Sequence, residues 1–244
     1  MSGNPSGPLT SRPPYHRPVH PLLRPRWIVG HLLTLIAIVG FVRLGIWQLD
    51  RHAEKSDLRD TVAEGQTLPA VELGDAPEGS FRRVVAIGEY DGSLQALVLR
   101  SRAGVSGYHV LTPLVTEDGS ALLVDRGWIP LDTDPPQPPP GMVKAAGVLW
   151  PAEEGSSVPI QQPEVVRRID PEIQQAFAPY SLRSDYLILA PAPVPEPWPI
   201  AAEPPGIGLG PHLGYAGQWF LFAVIALVGY PLLLKKARLI RKPG

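Results

Sequence analysis

The sequence predicts a membrane protein: two transmembrane α-helices flanking an extracytoplasmic, mainly antiparallel β domain with minor helix (α+β). Three observations predict it. Two apolar runs, Trp27–Leu49 and Ala216–Leu234, stand near the ends of a 244-residue chain. All 23 acids lie between Asp50 and Glu203, whereas the flanking segments are basic. The stretch between the runs alternates β-rich segments with turn signals.

The apolar runs are 23 and 19 residues long, and about 20 residues at 1.5 Å rise cross a hydrocarbon core of about 30 Å. Arg12, Arg17, Arg24 and Arg26 precede the first run, and Lys235, Lys236, Arg238, Arg241 and Lys242 follow the second. By the positive-inside rule both termini are cytoplasmic and the acidic middle lies outside the cell inner (plasma) membrane. Trp27, Trp47 and Trp219 sit where interfacial anchors belong. A cleaved signal peptide is excluded by the length of the first run and by the lack of an A-x-A-like site before Asp50. The expected order is a disordered basic tail (1–26), helix 1 (27–49), the extracytoplasmic domain (50–215), helix 2 (216–234) and a second basic tail (235–244).

Charges at helical spacing from Asp50 to Glu64 continue helix 1 into water until Gly65 and Pro69 stop it. From Phe81 the period becomes that of a strand. Asp91-Gly92 and Asp118-Gly119, each between β-rich runs, predict two hairpins. Further strands are expected at Met142–Leu149 and Tyr186–Ala190. Asp170-Pro171 supplies a cap and first-turn residue for a short helix to Phe177. Five prolines in 132–141 make one irregular loop, and eight in 190–211 make a stiff strap back to helix 2.

Composition excludes much chemistry. With no Cys there is no disulfide, thiolate zinc site, iron–sulfur cluster or CxxCH haem attachment. No GxSxG, HExxH or phosphate-binding glycine loop is present, and Glu153-Glu154 are adjacent in a polar loop. The chain reads as a binding protein, not an enzyme. The acidic outer segment excludes nucleic acid as a partner. Among the histidines, His16, His20 and His52 read as solvated, and His109 as a strand residue with a structural hydrogen bond. His31 lies inside helix 1, where it either bonds to helix 2 or a partner, or serves as a ligand. His212 stands just before helix 2 at the water–lipid boundary: an interfacial residue, or a ligand for an amphipathic group such as haem. Arg43, six residues before the end of helix 1, can snorkel, meet a partner's acid or face an anionic ligand group. Asp125-Arg126-Gly127-Trp128 ends a strand and reads as a charged pair pinning a loop.

Leu44-Gly45-Ile46-Trp47-Gln48-Leu49-Asp50-Arg51, followed by Lys55 and Leu58, resembles the LGxWQxxR…K signature of the Surf1/Shy1 family of cytochrome c oxidase assembly factors. Arg83-Val84 with Gly88, Gly107–Leu114, Leu123–Pro130 (with Arg126, Gly127 and Trp128) and His212–Phe220 resemble its later blocks in order. Asp125 stands where Asn is more usual, and the strap is longer than typical. The resemblance implies a factor that binds cytochrome c oxidase subunit I and other oxidase subunits, within a respiratory supercomplex or outside one, and that carries haem a transiently. The family's haem-ligand histidine matches His212, and Tyr215 and Trp219, with Arg43 at most a minor contributor, would line the group; no metal beyond haem iron is expected. Gly45, Trp47, Gln48 and Arg51 are carried over as motif residues. Two other readings stay open: an accessory subunit stably bound to the oxidase, and an anchored extracytoplasmic binding module unrelated to respiration.

Overall fold

The computed structural model describes residues 22, 24–155, 165–192 and 197–237. Residues 1–21 and 23 of the expected N-terminal tail, with His16 and His20, the C-terminal residues 238–244 and strap residues 193–196 lie outside the described residues, and α1 takes in the last two residues of that tail, Pro25 and Arg26. In chain order the elements are α1 (Pro25–Thr67), β1 (Val71–Glu72), β2 (Arg83–Tyr90), β3 (Ala96–Arg102), β4 (Val105–Thr116), β5 (Ala121–Pro130), β6 (Met142–Pro151), β7 (Val165–Val166), α2 (Pro171–Gln175), β8 (Leu182–Leu189) and α3 (His212–Lys236). They fall into two compact units, residues 1–53 with 209–244 and residues 54–208.

The first unit is a pair of antiparallel helices. Each of its helices is long and apolar enough to cross a membrane. Residues turned inward recur every three or four positions, as one helix face requires: His31, Thr34, Ile38, Phe41, Gly45 and Gln48 on α1, and His212, Ala216, Trp219, Ala223, Ala226, Tyr230 and Leu234 on α3. Contacts run in opposite order along the two helices. His31 meets Tyr230, Phe41 stacks on Trp219 at 5.8 Å and packs on Phe222 at 5.7 Å, and Gln48 meets His212. The outer faces stay uncovered, with Ile36 66% and Leu227 60% exposed.

The second unit is built on one eight-stranded sheet, largely antiparallel, with parallel pairings β1–β2, β3–β7 and β5–β8. Its middle closes on itself: β2 pairs with β6, β6 with β8, β8 with β5, β5 with β4, and β4 returns to β2. Both faces are packed. Val84, Leu114, Leu122, Val124, Leu149 and Leu187 form one core. Val98, Leu111, Leu123, Trp150, Tyr186 and Ile188 form the other, with Val62 and Phe81. The near-continuous apolar run of β5 follows from this position, because nine of its ten residues are buried.

The hairpin expected at Asp118-Gly119 joins β4 to β5, with Val115 opposite Ala121. The one expected at Asp91-Gly92 does not form. β2 and β3 instead lie end to end along one edge of the twelve-residue β4, β3 against Val105–Leu111 and β2 against Leu114–Thr116. Asp91 makes the step between them: its carboxylate accepts from the Ser93 amide (3.0 Å) and the Tyr180 hydroxyl (2.9 Å), starting a one-turn 3-10 helix. Burial works to raise the Asp91 carboxyl, yet these hydrogen bonds outweigh it and hold the group below its ordinary value. The hairpin present in its stead is β3–β4, turned at Ala103 (φ 49°) and Gly104 (φ 81°), the doubly left-handed pattern of a type I′ turn.

Two further expectations change. Gly65 does not stop the first helix, which runs to Thr67. Its missing side chain instead admits the Ser80–Phe81 backbone, whose carbonyl oxygens would lie 2.9 Å from a Cβ. Helix 2 begins four residues earlier than expected, so His212 is the first residue of α3 rather than a neighbour of it. The short helix after Asp170 is present, with the Asp170 side chain accepting from the Glu172 amide.

Candidate functional site

The chemistry-bearing residues of the helix pair sort by helical geometry. At about 100° per residue, Gly45 and Gln48 share the face of α1 that carries Phe41, while Arg43 and Trp47 lie on the other side. Gly45 is buried, and a Cβ on it would stand 2.6 Å from Cε1 of Phe220. That close crossing brings the next inward residue, Gln48, to the start of α3. Trp47 is 48% exposed, with the Arg51 guanidinium 5.9 Å over its ring. Arg43 is exposed on the face of α1 opposite Gly45.

His212 is held by Gln48. Its Nδ1 lies 2.8 Å from Oε1 of Gln48. An amide oxygen only accepts, so Nδ1 carries the proton and donates. In the neutral ring Nε2 then bears the lone pair. It is buried and has no hydrogen-bond partner among the described residues. A buried acceptor of that kind costs about 1–3 kcal/mol if nothing meets it. Tyr215, three residues on, is 49% exposed. Trp219, seven residues on, packs between Phe41 and Phe222.

His31 differs. Its Nε2 lies 3.2 Å from the Leu22 carbonyl oxygen and its Nδ1 2.7 Å from the Tyr230 hydroxyl. A carbonyl cannot donate, so Nε2–H donates to Leu22, and in the neutral ring Nδ1 accepts from Tyr230. Both nitrogens are used, and the residue ties the two helices together. His52 has a buried Nδ1 without a hydrogen-bond partner among the described residues. His109 is paired with Asp125, Nδ1 to Oδ2 at 2.7 Å.

Residues 35–224 match the family model of the SURF1 family. The chain belongs to the SURF1 family. It is 28% identical to an uncharacterized SURF1-like protein of Mycobacterium tuberculosis, over 85% of this chain and 83% of that one. It is 32% identical to a SURF1-like protein of Rickettsia bellii, over 40% of this chain and 42% of the other, and 31% identical to one of Dictyostelium discoideum, over 40% and 41%.

In this SURF1-family chain the β5 block is occupied with holding loops. Arg126 donates to the Gln95 side chain (3.0 Å) and to the carbonyls of Pro136 (2.9 Å) and Gln137 (3.3 Å), fixing the first proline loop, and its guanidinium lies over Tyr90. Gly127 (φ 125°) stands at the irregularity between β4 and β5, where a Cβ would run into the Ile200 carbonyl. Trp128 exchanges two backbone hydrogen bonds with Ile200 of the strap, at 2.7 and 2.9 Å, and packs on Trp198. Among the described residues no group of three or more His, Asp or Glu side chains is placed to hold a metal ion. The bond that His31 was expected to make to helix 2 is the one to Tyr230; the pairing of Gln48 with His212, across 164 residues, is the part that the sequence does not show. Both histidines and the Gln48 motif were visible; no local signal joins them.

Proposed function

We propose that this chain is a biogenesis factor for haem–copper cytochrome c oxidase that carries haem a toward subunit I, with His212 as the iron ligand. Membership of the SURF1 family, known as an oxidase assembly factor family, supports the oxidase. The observation that carries the ligand is the buried, unpartnered Nε2 of His212 beside a hydrogen-bonded Nδ1, the state in which imidazole binds iron. Haem a, the cargo, supplies an iron that accepts that lone pair. The chain's own residues supply the lone pair (His212), the ring's orientation (Gln48) and aromatic surface (Tyr215 and Trp219).

Uncovered apolar faces on both helices support residence in the cell inner membrane, and the basic ends support cytoplasmic termini with the β domain outside. Arg43, exposed on the face away from Gly45, is available to snorkel or to meet a partner helix rather than to line the His212 site. The chain acts by binding, without covalent chemistry. The test is affinity purification of the tagged full chain from its own membranes in mild detergent. Oxidase subunits in trace amount support the reading; equal stoichiometry supports a resident accessory subunit, and absence of oxidase subunits overturns both.

A further inference from the structure

The geometry points to Gln48 as a positioning residue that locks His212 in the Nδ1–H tautomer, so that Nε2 is ready to bind iron; this rests on the haem reading above. In water a neutral imidazole favours the opposite tautomer, with the proton on Nε2, which would place a donor where a lone pair is needed. At 2.8 Å the Gln48 oxygen reverses that preference by accepting from Nδ1. An acceptor behind a ligating histidine fixes tautomer and ring orientation and raises the ligand's basicity.

The local sequence provides the lock. Gly45, one turn before Gln48, has no side chain to hold Phe220 away, so α3 starts within reach of a side chain as short as glutamine. The same acceptor geometry from a carboxylate would bring a charge into a half-buried place at the end of an apolar helix, at a desolvation cost. It would also push the imidazole toward imidazolate. A neutral amide orients the ring without either effect. The role differs from that of Tyr230 at the other histidine, where the hydroxyl donates to Nδ1 and removes the lone pair.

The test uses the full chain in detergent, with Gln48→Leu and Gln48→Glu beside the unaltered protein. In the haem-free state, nitrogen NMR of 15N-histidine-labelled chain, assigned with His212→Ala, reads the tautomer directly. The unaltered chain is expected to show Nδ1 protonated and Nε2 bare, and Gln48→Leu to move the proton to Nε2. With haem a added, Gln48→Leu should bind about 10–100-fold more weakly. Gln48→Glu should keep binding, with a lower haem reduction potential than the unaltered protein. A tautomer and affinity unchanged in Gln48→Leu would overturn the proposal even if haem is bound through His212. A tautomer that shifts as expected in a chain that binds no haem would uphold the lock and overturn the haem reading instead.

Discussion

The helix pair carries a histidine near each end, and the two are wired in opposite ways. His31 gives one nitrogen to the Leu22 carbonyl and the other to the Tyr230 hydroxyl. His212 gives one to Gln48 and leaves the other buried and unmet among the described residues. In the sequence His31 stands out as a polar ring inside an apolar span, where it is costly, and His212 as a ring at the water–lipid boundary. A histidine with both nitrogens satisfied is a tie between helices, whereas one with a single tie is equipped to hold something else.

The largest expected effect separates the two residues. His212→Ala abolishes the haem a absorbance of the purified chain, while His31→Ala and His52→Ala retain it, as read from reduced-minus-oxidised visible spectra. Loss in His31→Ala with retention in His212→Ala would reverse the assignment. Next comes the crossing that brings Gln48 to α3. Gly45→Val puts a side chain into the Phe220 ring, and overpacking of that kind costs about 1–3 kcal/mol. Its thermal midpoint in detergent and its haem content are both expected to fall. Gly40→Val, where a Cβ meets nothing within 4 Å, should change neither.

A smaller effect tests the tie at the other end. Tyr230→Phe removes one interhelical hydrogen bond, worth about 0.6 kcal/mol on average in membrane helices. It should lower thermal stability slightly and leave the haem spectrum unmoved. The smallest is a control in the β domain. Hydrogen bonds from the Thr116 hydroxyl and from the Ser120 amide and hydroxyl lower the Asp118 carboxyl from 3.8 to about 2. A folded-state value below the unfolded one stabilises at higher pH, and the contribution fades as pH falls from 3.8 through about 2. Asp118→Asn should flatten that part of an acid-unfolding curve and leave haem binding untouched.

What was legible in the sequence is what depends on neighbours along the chain. The two helices show as long, mostly apolar runs, and the Asp118-Gly119 hairpin and the Asp170-Pro171 helix start show as local turn and cap chemistry. The Asp91-Gly92 misreading has a physical cause. Asp91 meets the Tyr180 hydroxyl, 89 residues away, and β4 is long enough to take β2 and β3 in succession. The real β3–β4 turn uses Ala103 with φ 49°, and alanine carries no turn signal. At the site, His212 and Gln48 were each singled out, in separate motif blocks. Their hydrogen bond exists only once α3 packs on α1.

The most direct measurement replaces the ring without the tether. His212→Gly chain is loaded with haem a in detergent, with and without added imidazole, and the visible and electron paramagnetic resonance spectra are recorded. The account predicts that binding is lost in His212→Gly and that imidazole restores it with a histidine-like axial-ligand spectrum. Haem a bound by His212→Gly without imidazole, with the spectrum of the unaltered chain, would contradict it.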